Sequence, residues 1–266
     1  MSPLDSLDEE VDELVESFMS QAIVGDLDIG ITQYLVYFAI AMVIVLVLLV
    51  VFKKRQSQSL VPQGVFVNGI EMVVEFVRDD ICKQVLGDSW RKHFPFLATL
   101  FFTILVNNIV GLIPGLKPGT GTISVTGALA LCSFVYFIYC GVKKRGGWGY
   151  IKSLAPAGVP FPINVVVWLI EVLSTFLRLI TLAVRLFCNM FAGHMVMGTF
   201  AILASLFVEP LLEAFSLAAL GEAATSIFWE ILLIVIYVLE ILVACIQAYI
   251  FTLLSAVYIQ TAESDE

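Results

Sequence analysis

Two long apolar stretches in the second half of the sequence, residues 162–208 and 223–260, restrict the possible folds most strongly. A straight helix of about 46 residues would be about 70 Å long, more than twice the thickness of bilayer hydrocarbon. Hydrophobic residues make up 60% of the chain and charged residues 14%, so the chain is far more apolar than a soluble domain. The sequence therefore predicts an integral membrane protein whose last two membrane segments are strongly tilted, bent or broken.

Three shorter segments, residues 31–52, 94–112 and 123–142, also contain enough apolar residues in succession to cross a bilayer. Basic triplets, Lys53–Arg55 and Lys143–Arg145, follow the first and third segments, and clustered bases beside a span mark the cytoplasmic side. Both triplets therefore predict an N-terminus outside and a C-terminus in the cytoplasm.

Residues 65–86 differ from these spans because acids and bases interrupt the apolar residues at helical spacing. This pattern predicts an amphipathic helix that lies on the cytoplasmic surface of the membrane. The expected fold class is an all-α integral membrane protein with about five membrane-embedded helices. The last two form a long tilted hairpin, and the surface helix comes in addition.

The predicted organisation follows the chain from an outer tail to a cytoplasmic tail. Its parts are an acidic N-terminal tail outside (1–28), a first transmembrane helix (29–56), a cytoplasmic amphipathic segment (57–93), a transmembrane helical hairpin (94–145), a cytoplasmic loop (146–161), the long tilted hairpin with the polar residues described below (162–260) and an acidic cytoplasmic tail (261–266). We interpret both acidic ends as solvated tails and residues 209–222 as the outer turn of the long hairpin. Since the N-terminal region lacks a basic flank and an early apolar core, no cleavable signal or transit peptide is expected.

The first long stretch carries a small set of polar residues: Glu171, Arg178, Arg185, Asn189 and His194. At 100° per residue, the first four fall on one stripe of a helix, whereas His194 lies about 180° from Arg185. An arginine keeps its charge at every pH that a cell meets and costs at least about 2.5 kcal/mol in hydrocarbon. Arg185 is therefore a functional candidate, while Glu171 and Arg178 also fit an i,i+7 pair whose charged groups reach the cytoplasmic interface.

The second long stretch contributes Glu240 and Gln247 on one face, with Glu230 displaced by about 80°. A carboxylate or an imidazole in a low-dielectric setting can accept and release protons near neutral pH. His194 and Glu240 could therefore carry protons, whereas Arg185 would block proton passage and hold a partner carboxylate ionised. Glu230 fits a place at the outer water boundary as well as a place in the path.

The remaining polar and sulfur-containing residues are less specific. Asn107 and Asn108 lie late in the second span, where amides either join helices or line an aqueous channel. The 5 cysteines lie within predicted helices without metal-ligand spacing, so packing is expected rather than disulfide or metal chemistry. The sequence contains no phosphate-binding loop, hydrolase motif or dinucleotide fingerprint, so we expect no catalysis, cofactor, metal or nucleic acid in this chain.

Three motifs in order along the chain carry a resemblance to a known family. They are residues 184–194 (VRLFCNMFAGH), residues 240–251 (EILVACIQAYIF) and residues 107–115 (NNIVGLIPG). The first closely resembles the signature RLFxNMxAG of subunit a of the F-type ATP synthases, and the third is similar to its NxxGLIPG turn. The likeness extends from about residue 60 to residue 260 and covers the N-terminal tail and first span only weakly.

This resemblance implies a stator subunit of the F0 sector beside a rotating ring of c subunits, without catalysis of its own. Arg185 would face the ring between two proton half-channels. Asn189, His194, Glu240 and Gln247 would line or neighbour the outer half-channel, with Glu171 near the cytoplasmic exit. Some family members carry Glu where this chain has His194 and His where it has Glu240, and either order supplies one imidazole and one carboxylate.

The resemblance also implies partners and a location. The expected partners are the c-subunit ring, the b subunits of the peripheral stalk, the F1 head indirectly, the lipid bilayer and protons. The absence of a transit peptide favours a bacterial cell membrane over the mitochondrial inner membrane. The alternative is a self-contained, ion-coupled secondary transporter, which would be expected to contain internal repeats that the sequence does not show.

Overall fold

The computed structural model describes residues 7–18, 22–24, 31–56, 64–113, 115–153, 163–213 and 217–264. The helices are α1 (Leu7–Phe18), α2 (Gln33–Gln56), α3 (Val65–Phe76), α4 (Gln84–Leu86), α5 (Trp90–Gly111), α6 (Ile123–Arg145), α7 (Gly147–Ser153), α8 (Ile163–Glu213) and α9 (Leu217–Glu263). A π-helical segment (Val77–Lys83) joins α3 to α4, and 3-10 turns occupy Gly87–Ser89 and Gly119–Gly121. A short antiparallel pair, β1 (Ala22–Val24) and β2 (Ile31–Thr32), precedes α2.

Five helical stretches of the described residues are long and apolar enough to cross a membrane: Gln33–Arg55, Val65–Gly111, Ile123–Arg145, Ile163–Val208 and Thr225–Glu263. Helices are the expected solution because a helix satisfies its own backbone hydrogen bonds where no water is present. The chain is thus an all-α, multi-pass membrane protein, as the sequence predicts.

The two ends of the helical bundle can be distinguished by the residues found there. Gly119 packs against Phe38 and Gly121 against Tyr34, so α2 and α6 both begin beside the turn Gly119–Gly121. Both helices run away from this turn and finish with their basic triplets, which therefore lie together at the opposite end. We call that opposite end the basic end, and the end that carries the turn and α1 the α1 end.

Helices α8 and α9 form the long antiparallel hairpin. Near the α1 end, the Ser226 hydroxyl donates a hydrogen bond to the Ala204 carbonyl at 3.0 Å. Near the basic end, the Arg178 guanidinium lies 5.2 Å from the centre of the Tyr258 ring. The connection between α8 and α9 lies within residues 209–222, as expected, but is shorter, because both helices continue into this range and only residues 214–216, which lie outside the described residues, separate them.

The apolar core lies where α5, α6, α8 and α9 meet. Leu97, Ile104, Leu186, Phe251 and Ile259 are almost fully buried there. Within the same core, the Ser133 and Ser255 hydroxyls share a hydrogen bond of 2.7 Å between α6 and α9. Polar groups that pair inside the helical bundle in this way join transmembrane helices, since the alternative is an unpaired group in hydrocarbon.

The predicted amphipathic segment 65–86 is helical throughout but is not a single α-helix. Its polar residues pair with one another, as Asp79 does with Arg78 at 2.9 Å and with Lys83 at 2.6 Å. Its apolar residues Val77 and Ile81 are buried against the bundle. The amphipathic pattern is therefore real, and its place on the cytoplasmic surface stays a prediction.

Both acidic ends differ from the predicted solvated tails. At the N-terminus, residues 7–18 form α1, which packs against α8, because its apolar residues recur on one face. At the C-terminus, α9 continues to Glu263, whose side chain is only 15% exposed and pairs with Lys92 of α5. The loop predicted at 146–161 also contains helix α7, and the Trp168 indole donates to the Ile151 carbonyl at 3.0 Å.

Candidate functional site

Arg185 lies on an exposed, apolar face of α8. Its neighbours one helical position or one turn away, Val184 and Cys188, are also exposed, whereas Leu186 and Met190 on the other side of the helix are fully buried. Among the described residues, none makes a hydrogen bond or ion pair with the Arg185 guanidinium. A permanent charge on an apolar surface requires either water or a partner from outside the chain.

The outward-facing surface around Arg185 continues across the hairpin. Large apolar side chains on α8 and α9 are exposed along much of both helices, among them Leu177, Ile180, Val184, Val238, Leu242 and Ile246. Such a surface is suited to lipid or to another apolar helix. It carries Arg185 as an isolated charge among apolar neighbours.

Glu171 and Arg178 pair with each other toward the basic end of α8. Their side chains are 3.3 Å apart, and the Arg178 guanidinium also lies over the Tyr258 ring of α9. Both side chains remain partly exposed, at 40% for Glu171 and 24% for Arg178. Glu171 and Arg178, which the sequence predicts to share one helix stripe with Arg185, therefore form an ion pair with each other and not with Arg185.

His194 and Glu240 are both buried, and His194 lies on the side of α8 opposite Arg185. His194 is 9% exposed and Glu240 is 7% exposed. The Glu240 carboxylate occupies the space that a side chain at Gly193 would fill, so it lies against the backbone of α8 directly beside His194. Glycine at this position is what permits the acid of α9 to approach the helix that carries the histidine.

The other predicted amides line the same interior from two helices. Gln247 of α9 is 5% exposed, and Asn107 and Asn108 of α5 are fully buried. Asn108 accepts a hydrogen bond of 2.8 Å from the Thr120 hydroxyl, and its amide donates to the Ala244 carbonyl at 3.4 Å. Asn108 therefore joins α5 to the Gly119–Gly121 turn and to α9, and Asn107 donates to the Thr103 carbonyl of its own helix.

Several buried polar atoms of this interior have no hydrogen-bond partner among the described residues. They are Asn107 Oδ1, His194 Nε2, Glu240 Oε1 and Gln247 Nε2. A buried polar atom without a partner costs about 1–3 kcal/mol, so native proteins seldom tolerate several in one place unless water reaches them. The arrangement is suited to a hydrated path that contains one imidazole and one carboxylate.

Two predicted residues stay apart from this interior. Asn189 is partly buried one turn from Arg185, on the flank of α8 between the exposed arginine and the buried Met190. Glu230 is exposed on α9, nearer the α1 end than Glu240. His194, Glu240, Gln247, Asn107 and Asn108 are thus buried, Asn189 is partly buried, and Arg185 and Glu230 are exposed.

One buried polar cluster at the basic end was not predicted from the sequence. The His93 ring is fully buried, with Nδ1 3.1 Å from the Tyr136 hydroxyl and Nε2 3.3 Å from the Glu263 carboxylate. Lys92 donates to the same carboxylate at 2.8 Å. The Cys140 sulfur lies 4.0 Å from Nδ1, and one ligand atom each of His93, Cys140 and Glu263 lies within 4.8 Å of the other two.

A second group of contacts missed by the sequence analysis lies at the α1 end. The Tyr34 hydroxyl donates to the Phe18 carbonyl at 2.7 Å, and the Lys117 ammonium donates to the Ser17 carbonyl. Burial lowers the pKa of the Lys117 ammonium from its ordinary value. The Phe18 ring lies 6.0 Å from the His194 ring, so α1 reaches the site described above. The acidic composition of residues 1–28 gives no sign of this docking.

Comparison with known proteins identifies close relatives. The sequence model of the family described as ATP synthase A chain matches residues 35–260. A protein of Prosthecochloris aestuarii named ATP synthase subunit a 2 is 37% identical over 253 residues, which cover 94% of this chain and 74% of the relative. ATP synthase subunit a of Chlorobium phaeobacteroides is 36% identical, with 94% and 70% covered. ATP synthase subunit a of Myxococcus xanthus is 37% identical over 88% of this chain and 73% of its own length.

Proposed function

Because the chain belongs to the ATP synthase A chain family, we propose that it is the non-catalytic stator subunit through which protons cross the membrane. In this role it belongs to an ATP synthase complex and couples proton flow to ATP synthesis. The single observation that supports the proposal best is the division of α8 into two sides. Arg185 is exposed on one side and His194 is buried on the opposite side, and Glu240 packs against Gly193, which precedes His194 in the sequence.

The exposed arginine fits a moving partner better than a fixed one. A guanidinium on an apolar surface is costly, and a carboxylate that arrives beside it would offset this cost for as long as it stays. A ring of c subunits that carries such carboxylates past α8 would supply partners in turn. Arg185 would hold each passing carboxylate ionised and would keep protons from crossing directly, because it cannot release a proton itself.

The buried interior at the α1 end is the proposed entry path for protons. His194 and Glu240 can both bind and release protons, and Gln247, Asn107 and Asn108 supply amides along the same interior. The unpartnered polar atoms of these residues support a hydrated path. Asn189 would connect this interior to the exposed face that carries Arg185, and Glu230 would lie at the outer mouth.

We place the exit path at the basic end, near Glu171 and Arg178. Their ion pair is partly exposed and thus accessible to water from that side. A proton that leaves the ring carboxylate could pass to Glu171, whose negative charge is partly compensated by the Arg178 guanidinium. The cytoplasmic side would be the basic end, because two basic triplets lie there.

The proposed location is a bacterial cell membrane, with the N-terminus outside and the C-terminus in the cytoplasm. The relatives described above are bacterial proteins. The proposed neighbours are the ring of c subunits at the exposed face of α8 and α9 and the b subunits of the peripheral stalk, with indirect contact to the F1 head. A self-contained transporter is not favoured, since these relatives are all named as ATP synthase subunits.

The test is the substitution Arg185→Ala in the assembled complex, reconstituted in sealed vesicles. We expect proton-driven ATP synthesis to fall at least about a hundredfold, the order of loss seen when one preorganised hydrogen-bond donor is removed from an active centre. Arg91→Ala is the matched control, since Arg91 is an exposed arginine at the basic end. Synthesis by Arg185→Ala at the rate of the Arg91→Ala control would refute the proposal.

A further inference from the structure

The N-terminal helix α1 is built to lie on a protein surface at the edge of the membrane. Glu9, Asp12, Glu13 and Glu16 are exposed on one face. Its apolar residues fall on the opposite face, where Leu14 and Phe18 contact α8. This division keeps the acidic face in water and leaves the apolar face to pack, as in other interfacial amphipathic helices.

Docking of α1 depends on a specific fit with α8. A methyl group added at Gly198 would come within 2.7 Å of Leu14 Cδ2, so the absence of a side chain at Gly198 lets α1 approach. The Phe18 ring lies 6.0 Å from the His194 ring and meets the Phe191 ring edge-on at 6.4 Å. The last turn of α1 thus covers the segment of α8 that carries the buried histidine.

Two residues from other elements hold this last turn in place. Tyr34 of α2 is fully buried and donates its hydroxyl hydrogen to the Phe18 carbonyl at 2.7 Å. Lys117 donates to the Ser17 carbonyl, and its ammonium lies 5.7 Å from the Phe18 ring and 5.9 Å from the Tyr34 ring. A cation at the C-terminal carbonyls of a helix also interacts favourably with the helix dipole. Three elements therefore fix Phe18 above His194.

The last turn of α1 lies over His194, a residue of the proposed proton path. Its Nε2 atom is buried and has no partner among the described residues, although the ring contacts Phe18 directly. We propose that α1 forms the roof of the proton path at the α1 end, and that Phe18 is a positioning residue that controls access from solution to His194. This inference rests on the proposed function, because it assumes that protons pass through His194.

The first test measures access to position 194. In the assembled complex, with the native cysteines replaced by serine, His194→Cys is treated with a small charged methanethiosulfonate on each side of the membrane. Adding Phe18→Ala should accelerate labelling from the α1 side about tenfold, since loss of a packed aromatic ring destabilises the docked position of α1. Phe228→Ala is the matched control, because Phe228 is exposed on α9 toward the same end.

A second variant guards against loss of folding in Phe18→Ala. Gly198→Leu should lift α1 from α8 without removing any side chain of the roof, and should accelerate labelling of position 194 in the same direction. Gly127→Leu is its control, since no atom lies within 4 Å of the space a side chain would enter there. If both variants are labelled at the same rates as their controls, the proposal that α1 limits access to position 194 is overturned.

The third test distinguishes a failure of the role proposed for α1 from a failure of the proposed function. With His194 intact, Phe18→Ala should shift the half-saturation of proton-driven ATP synthesis to a higher pH on the α1 side, because protons reach the path more easily. Faster labelling without this shift would overturn the role in proton access. Proton-driven synthesis that survives Arg185→Ala would instead refute the proposed function, whatever the α1 variants do.

Discussion

At the residue scale, the contact between Gly193 and Glu240 explains how an acid can lie in the middle of a packed hairpin. The carboxylate fits against bare backbone, and a single methyl group would occupy its place. The chemistry of the site therefore depends on a residue with no functional group of its own. Periodicity along the sequence alone could not reveal that the residue packed against Gly193 is Glu240.

This contact predicts a strong effect of a minimal substitution. In Gly193→Ala, the Glu240 side chain must move, and overpacking of this kind costs about 1–3 kcal/mol, so proton-driven ATP synthesis should fall about tenfold. Synthesis and the amount of assembled complex are measured in the same vesicles. Gly127→Ala serves as the control, since a methyl group there meets no neighbour within 4 Å. Equal rates in the two variants would contradict the close approach of Glu240.

At the element scale, the cluster around His93 fastens the last turn of α9 to two other helices. Glu263 of α9 accepts hydrogen bonds from Lys92 and lies beside His93 of α5, and the Lys144 side chain of α6 donates to the Glu263 carbonyl at 2.5 Å. The end of the chain is therefore part of the helical bundle. The acidic C-terminal segment has the composition of a solvated tail. Only its contacts with residues distant in sequence show that it is packed in the bundle instead.

The fastening predicts a measurable loss of stability in Glu263→Gln. Removing the carboxylate charge weakens the bonds to Lys92 and His93, and we expect a loss of about 1 kcal/mol, since Lys92 is partly exposed to solvent. In thermal unfolding of the purified complex, this corresponds to a midpoint about 2–4 °C lower. Asp88→Asn, an exposed acid at the same end, should leave the midpoint unchanged. An unchanged midpoint in Glu263→Gln would count against the fastening.

The helices themselves were largely predictable, and their docking was not. Hydropathy and the period of 3.6 residues depend on local sequence, so the spans and the opposite orientations of Arg185 and His194 on α8 follow from the sequence alone. The connection between α8 and α9 is shorter than the turn expected at 209–222, since the Glu and Pro residues there suggested a longer break in the helix. The docking of α1 depends on Lys117 and Tyr34, which are remote in sequence and carry no local signal.

At the scale of the whole molecule, the two ends differ in charge. The basic end carries Lys53–Arg55 and Lys143–Arg145, and the α1 end carries the exposed acids of α1. This asymmetry agrees with the rule that basic residues remain in the cytoplasm. The proposed orientation rests on this distribution of charge, because helices that begin at the same end bring the two distant triplets together.

The orientation can be tested with introduced cysteines in a background without the native ones. Asp12→Cys at the α1 end should react with a membrane-impermeant maleimide in intact cells. Lys152→Cys at the basic end should react only after the membrane has been opened, although both positions are exposed in the structure. The reverse pattern would show that the molecule is inserted the other way round.

The proposed role of Arg185 as the barrier to direct proton passage has a consequence for how well proton flow stays coupled to rotation at different pH values. A barrier made from histidine or lysine would lose its charge as the surroundings became alkaline, and ions would then leak without producing work. A guanidinium stays charged far beyond the pH range of living cells. A change in external pH should therefore alter the rate at which protons reach this protein. It should leave unchanged the rate at which protons leak across the membrane without driving rotation.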